Sequence, residues 1–259
     1  SNGKEITKFG GVVTVSIPYT LASGEKASGI KVYYVNEEGK LIEAKSSSYD
    51  ESNKTATFQT EHFSKFLIAY NQITFKDIQG HWAQAYIESL ANRDIINGMT
   101  ETTFMPDGNI TRAQFAKLLA GLEGVDTSKL TTSKFSDVSQ NAWYSGAVAW
   151  ASDNDITLGY ANTDGTKNFN PNQNITRQDM AVMMKRYLDQ VAKKTLPSVD
   201  AKIAFVDEKI IADYSMDAVL QLQQAGIING KITQTGGIEF DPTGKLTRAE
   251  AAKIVASQL

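Results

Sequence analysis

The chain has 259 residues, 41% of them hydrophobic and 21% charged, with no cysteine and a formal net charge of −3. That length holds one large domain or two to four small ones with real cores, and the composition excludes disordered and collagen-like classes. Without cysteine there is no disulfide framework, thiolate nucleophile or cysteine-ligated zinc, and the acidic balance argues against nucleic-acid binding, which needs a basic face. No apolar run approaches the roughly 18 residues that a membrane span requires, so membrane insertion is not expected. The chain opens Ser1-Asn2-Gly3, with neither Met nor a signal-peptide pattern, which predicts a trimmed piece of a longer protein.

The first 70 residues read as a small antiparallel β module. Stretches 13–17, 30–35 and 55–60 alternate or are rich in β-branched and aromatic residues, and turn chemistry at 36–39 and 50–53 separates them. Eight lysines balance eight acids there, so the net charge lies in the remainder.

From residue 73 onward the chain repeats itself three times. The first copy carries Phe75, Asp77, Trp82, Ile95, Gly98, Phe104, Pro106, Thr111 and Arg112. The second carries Phe135, Asp137, Trp143, Ile156, Gly159, Phe169, Pro171, Thr176 and Arg177; the third carries Phe205, Asp207, Tyr214, Ile227, Gly230, Phe240, Pro242, Thr247 and Arg248. In every copy the aromatic precedes the Ile by 13 residues and the Gly by 16, and Pro precedes Arg by six; the Gly-to-Phe gap is the elastic part, at 6, 10 and 10. Rigid blocks joined by one elastic loop describe a two-helix unit.

Apolar positions such as Ile87, Leu90, Ala91 and Ile95 follow helical spacing after the aromatic, and the Gly three residues later fits a helix C′ position of positive φ. Phe-x-Pro is an extended stretch. Thr-Arg-x-(Gln/Asp/Glu) is a capping box opening second helices over 113–122, 178–188 and 249–259, with Arg at N1; Asp179 is short for the reciprocal bond. Linkers are expected near 124–133 and 191–202.

Together, Phe-x-Asp near a Trp, Ile-Asn-Gly, Phe-x-Pro and Thr-Arg-Ala-Glu resemble the S-layer homology domain, in three tandem copies over about 73–259. The resemblance places the copies at 73–124, 133–191 and 203–259, behind a β module at 1–70. It implies a mainly α repeat trimer, three helix–loop–helix units arranged pseudo-threefold around a shared helical bundle. It also implies anchoring of a Gram-positive surface or S-layer protein to the cell wall, with grooves between units binding pyruvylated secondary cell-wall polysaccharide. No catalysis and no cofactor are implied. The ligand-binding residues it carries over are Asp77, Asp137 and Asp207; Trp82, Trp143 and Tyr214; Gly98, Gly159 and Gly230; and Arg112, Arg177 and Arg248.

The residues support that chemistry at one point. A pyruvate ketal displays a carboxylate, and an anion is favoured at a helix N-terminus by roughly 0.3–1 kcal/mol. Arginine at N1 adds charge-assisted bonds of about 1.5–3 kcal/mol each. Three of the chain's five arginines occupy that position. The aromatics could stack on sugars and the aspartates accept hydroxyls.

Plainer roles compete. The aromatics could pack each repeat's core, the aspartates could cap the first helices, and the arginines could pair with an acid of the next repeat. If the arginines serve the ligand, Arg112→Ala and Arg177→Ala should weaken wall retention with little change in thermal stability. Tyr214 in place of Trp, and Leu158 where Asn97 and Asn229 stand, leave open whether all three grooves bind. A protein–protein or self-assembly scaffold in a surface layer is the alternative, and a wall-active hydrolase a third, since 29 acids offer many carboxylate pairs. His62 and His81 lie 19 apart without a partner motif, and the Asn162–Gly165 turn, similar to a calcium loop, lacks the closing Glu.

Overall fold

A computed structural model describes residues 8–130, 132–197 and 204–259. Ser1-Asn2-Gly3, and the parts of the expected linkers at 131 and 198–202, lie outside the described residues. The chain divides into two compact units, one through Phe75 with Glu88–Arg93, the other Lys76–Ile87 with Asp94–Leu259.

In the first unit, β1 (Lys8–Pro18), β5 (Thr55–His62) and β4 (Lys45–Asp50) form one antiparallel sheet. A second is built by β3 (Leu41–Glu43), β2 (Ile30–Val35) and β6 (Phe66–Tyr70). Alternation in β5 buries Ala56 and Phe58, which pack with Ile30, Val32 and Ala44. Residues 88–93 belong to this unit because Glu88 is buried and accepts the Thr74 hydroxyl at 2.7 Å, while Asn92 donates to the Ser28 carbonyl.

The second unit holds the repeats apart from Glu88–Arg93, each repeat being a first helix, a connecting loop and a second helix. First helices are α1 (Gln84–Ala91), α3 (Ser145–Asp153) and α5 (Asp213–Gln224); second helices are α2 (Arg112–Leu122), α4 (Arg177–Gln190) and α6 (Arg248–Ala256). Each second helix begins at the expected Arg behind a Thr cap. Both arms of the capping box form at Thr111/Gln114 and Thr247/Glu250, whereas Thr176 bonds the Asp179 amide without a return bond. The 10-residue elastic loops fold into two-residue hairpins, β7/β8 (Tyr160–Ala161/Lys167–Asn168) and β9/β10 (Lys231–Ile232/Ile238–Glu239). In the first hairpin turn Asp164 accepts from Thr166.

The first helices are shorter than the apolar spacing suggests, and the glycines are not their C′ residues. The positive φ that ends each first helix falls four residues earlier, at Asp94, Asp155 and Gly226, and recurs in the loop at Gly159 but not at Gly230. Gly159 and Gly230 are instead sites of close approach: a Cβ would meet the Phe135 ring at 2.3 Å in one and Ile238 Cγ2 at 2.2 Å in the other. The aspartates do not cap first helices either. Asp77, Asp137 and Asp207 accept the backbone N–H of Phe104, Phe169 and Phe240, and of the residue after each. These bonds clamp the Phe-x-Pro segment, whose Phe is fully buried in all three copies; the segment is not extended as expected, because its middle residue, Met105, Asn170 or Asp241, sits at φ +58°. Burial pushes the Asp77 carboxyl up, but the Phe104 and Met105 amides, with its own amide and the Arg248 charge, more than offset it and hold the group below its ordinary value.

Backbone hydrogen bonds link the repeats in a closed cycle. Ile110 donates to Leu246, Leu246 to Ile175, and Ile175 to Ile110, at 3.0–3.1 Å. No helix of the described residues is long and apolar enough to cross a membrane.

Candidate functional site

Arg112, Arg177 and Arg248 are each only 4–5% exposed. A guanidinium held there needs acceptors, since an unpaired buried charge is costly. The Nε donates to the carbonyl of Phe169, Phe240 and Phe104 respectively, at 2.7–2.8 Å, so each arginine bonds the Phe-x-Pro segment of another repeat. The guanidinium also lies over an aromatic ring of the same segment, at 4.9, 5.2 and 4.3 Å from the centroid. Nη2 of Arg177 donates to the Asn229 carbonyl and Nη2 of Arg248 to that of Asn97. These bonds use backbone oxygens, so the asparagine side chains are not what the arginines require.

The helix N-terminal amides are not free, contrary to the expectation from position alone. Arg112, Arg177 and Arg248 donate their own N–H to Gln173, Gly244 and Gly108. The next residues, Ala113, Gln178 and Ala249, donate to Pro171, Pro242 and Pro106. The N3 amide goes to the Thr hydroxyl. Any anion here would therefore be held by side chains rather than by helix amides.

Each arginine opens into a cleft shared by three repeats. The Arg112 cleft takes Gly159 from repeat two and Tyr214 from repeat three. The Arg177 cleft takes Gly230 and Trp82; the Arg248 cleft takes Gly98 and Trp143. Their volumes are about 320, 180 and 120 Å³. These lie near or below the roughly 300 Å³ floor of enclosing small-molecule sites, so each suits a terminal group. The three aromatics are 56–59% exposed and do not pack repeat cores. Nine of the twelve expected site residues thus gather in three clefts, while Asp77, Asp137 and Asp207 line none of them. A larger cavity of about 760 Å³, beside Tyr49 and Lys26 in the β unit, contains none of the twelve.

The N3 residue of the capping box faces the neighbouring arginine and differs among copies. Asp179 lies 3.4 Å from Arg112 Nη1 and Glu250 3.1 Å from Arg177 Nη1. The equivalent residue in the Arg248 cleft is Gln114. Asp179 also accepts the hydroxyls of Tyr160 at 3.0 Å and Tyr214 at 2.8 Å. Burial, the opposing pull of Arg112 and the Asp179 charge together leave the Tyr160 phenol pushed up to about 12. Partial burial, then the bond to Asp179, raises Tyr214 as well. Both stay protonated donors at neutral pH. Two further lysines escaped the repeat reading. Lys117 and Lys253 follow Arg112 and Arg248 by five residues and line the Arg248 and Arg177 clefts; Val182 stands at that place in the second copy.

The S-layer homology domain family model matches residues 74–116, 134–181 and 204–252. An amylopullulanase of Thermoanaerobacterium thermosulfurigenes is 33% identical over 98% of this chain and 13% of its own length. The exoglucanase XynX of Acetivibrio thermocellus is 35% identical over 71% of this chain and 16% of its own. A cellulosome-anchoring protein of Acetivibrio thermocellus is 28% identical over 63% and 35%. The chain therefore spans about a third or less of these curated relatives.

Proposed function

This chain belongs to the S-layer homology domain family, and from that premise we propose that it fastens a larger protein to the cell wall by binding pyruvylated secondary wall polysaccharide in its three clefts. Anchoring of surface proteins at the cell wall is the role of the family and fits the cellulosome-anchoring relative. The module itself is an anchor rather than a catalyst. The enzyme names among its relatives go with proteins of which it matches only 13% and 16%.

One observation carries the finer reading: a buried arginine, a glycine-bearing loop and an exposed aromatic from three different repeats converge in each cleft. An exposed ring beside a cationic group suits a sugar face bearing a carboxylate. We read the units, at 73–124, 133–191 and 203–259 behind a β module at 1–70, as related by a pseudo-threefold axis through a shared helical bundle. The cyclic bonds among Ile110, Ile175 and Leu246 support that arrangement. The aspartates serve the site by clamping the Phe-x-Pro segments whose carbonyls hold the arginines.

The chain should be retained on purified Gram-positive walls and released when the pyruvate ketals are removed by mild acid. Equal retention on both preparations would overturn the carboxylate reading. Concentration-dependent oligomers without glycan, together with that result, would favour a self-assembling scaffold.

A further inference from the structure

The three clefts share one scaffold but not one charge arrangement. In the Arg177 cleft every arm of the guanidinium is engaged: Nε on Phe240, Nη2 on Asn229 and Nη1 on Glu250. In the Arg112 cleft, Asp179 meets Nη1, and the Tyr160 ring lies 4.8 Å over the guanidinium. Two tyrosine hydroxyls complete the coordination of that carboxylate. This cleft already contains a carboxylate held by an arginine beside an aromatic ring, an internal copy of the ligand chemistry.

The Arg248 cleft differs at the decisive position. Its Nε and Nη2 are bonded to Phe104 and Asn97. Gln114, at the place of Asp179 and Glu250, turns its Oε1 back to the Thr111 amide. Among the described residues no carboxylate bonds Arg248. Asp77 acts on it through space, yet that carboxylate is spent on the Phe104 and Met105 amides. Lys117 adds a second cation, its Nζ 5.3 Å from the centre of the exposed Trp143 ring. The cleft is thus lined by two cations and no acid, whereas the Arg112 cleft sets Asp179 among two cations and the Arg177 cleft sets Glu250 among three, in each case on the arginine itself.

We infer that the clefts are unequal, and that the Arg248 cleft is the high-affinity carboxylate site, with Arg248 Nη1 and Lys117 Nζ as its donors and neutral Gln114 as the residue that leaves it vacant. The Arg112 cleft is closed by its own Asp179, and the Arg177 cleft is attenuated by Glu250. A ligand carboxylate entering either must displace an internal one from a guanidinium, whereas at Arg248 it displaces water. The inference rests on the carboxylate-binding reading above and selects the cleft, the donors and the specificity residue.

The test is calorimetric titration of the whole chain with a methyl glycoside carrying a pyruvate ketal, beside the methyl ester of that ketal. The wild type should bind the acid with one dominant site and the ester at least tenfold more weakly. Gln114→Glu installs the residue that the third repeat already tolerates at Glu250, where it completes the same capping box. It should weaken the acid at least tenfold while leaving the melting temperature in place. Lys117→Met, an exposed substitution on α2, should weaken it several-fold. Preference for the acid with both variants binding like wild type would overturn the choice of cleft and leave the carboxylate reading standing. Equal binding of acid and ester, or of neither, would overturn the carboxylate reading itself.

Discussion

The Arg112 and Arg248 clefts start from nearly the same parts: an arginine at N1, its Nε on a buried phenylalanine carbonyl, a glycine loop and an exposed aromatic. They differ by one charge: each is lined by two cations, and only the Arg112 cleft adds an acid. Asp179 is too short to close the capping box on its own helix and instead reaches the neighbouring arginine, where Tyr160 and Tyr214 secure it. Gln114 is long enough to bond its own Thr111 amide and carries no charge to the neighbour. One position therefore sets both a local cap and the charge beside the arginine of a neighbouring repeat. A repeat can keep its fold while its site diverges, because the bonds that build the cleft are mostly backbone bonds.

The sharpest way to break that comparison is to remove each arginine. Arg112→Ala strips a partner from a largely buried ion pair, and the loss expected for such a pair is about 3–5 kcal/mol. Arg248→Ala leaves no bonded carboxylate behind and exposes only the Phe104 and Asn97 carbonyls to loss of a donor, about 1–3 kcal/mol. Urea unfolding of both variants measures the difference; equal losses would mean that the Asp179 pair contributes nothing. The burial of Arg112 and Arg177 also revises the expectation that alanine at those two positions would spare thermal stability.

A smaller effect concerns the wall of the Arg112 cleft. Gly159 sits at φ +67°, and a Cβ there would lie 2.8 Å from the Asn168 carbonyl as well as against Phe135. Gly159→Ala should cost about 1–3 kcal/mol by overpacking, read from the melting curve. An unchanged Tm would show that the hairpin loop shifts freely. The smallest effect is expected from Tyr214→Phe, which removes one of two hydroxyls on Asp179. Because Tyr214 is mostly exposed, about 0.5 kcal/mol is expected. A loss as large as that of Arg112→Ala would make the tyrosine, not the arginine, the keeper of Asp179.

The sequence pattern located the second helices to within a residue at their starts because Thr, Arg and the N3 residue act on neighbouring amides, a local effect. It also separated the incomplete cap at Asp179 from the two complete ones. Strands β1, β2 and β5 were legible from alternation. β4 was not, since Lys45–Asp50 is half serine and is held in register by β5 rather than by its own apolar face. The glycine positions were legible but their place at a helix C′ was not: a constant spacing shows that a side chain is excluded, by close approach at Gly230 and by close approach together with positive φ at Gly159. The clefts' charges were the least legible part. Asp179, Glu250, Lys117 and Lys253 become site residues only when one repeat's helix faces another repeat's arginine, and no spacing within a single copy encodes that.

The cycle of bonds among Ile110, Ile175 and Leu246 bears on how such modules are gained and lost. In an open array, stability accumulates unit by unit and the end units need special faces. Here the first repeat meets the last, so there is no end unit. Deleting any one copy would break two seams and take a part from all three clefts, and a fourth copy would have no free edge to join. The functional quantum of this anchor is the triplet.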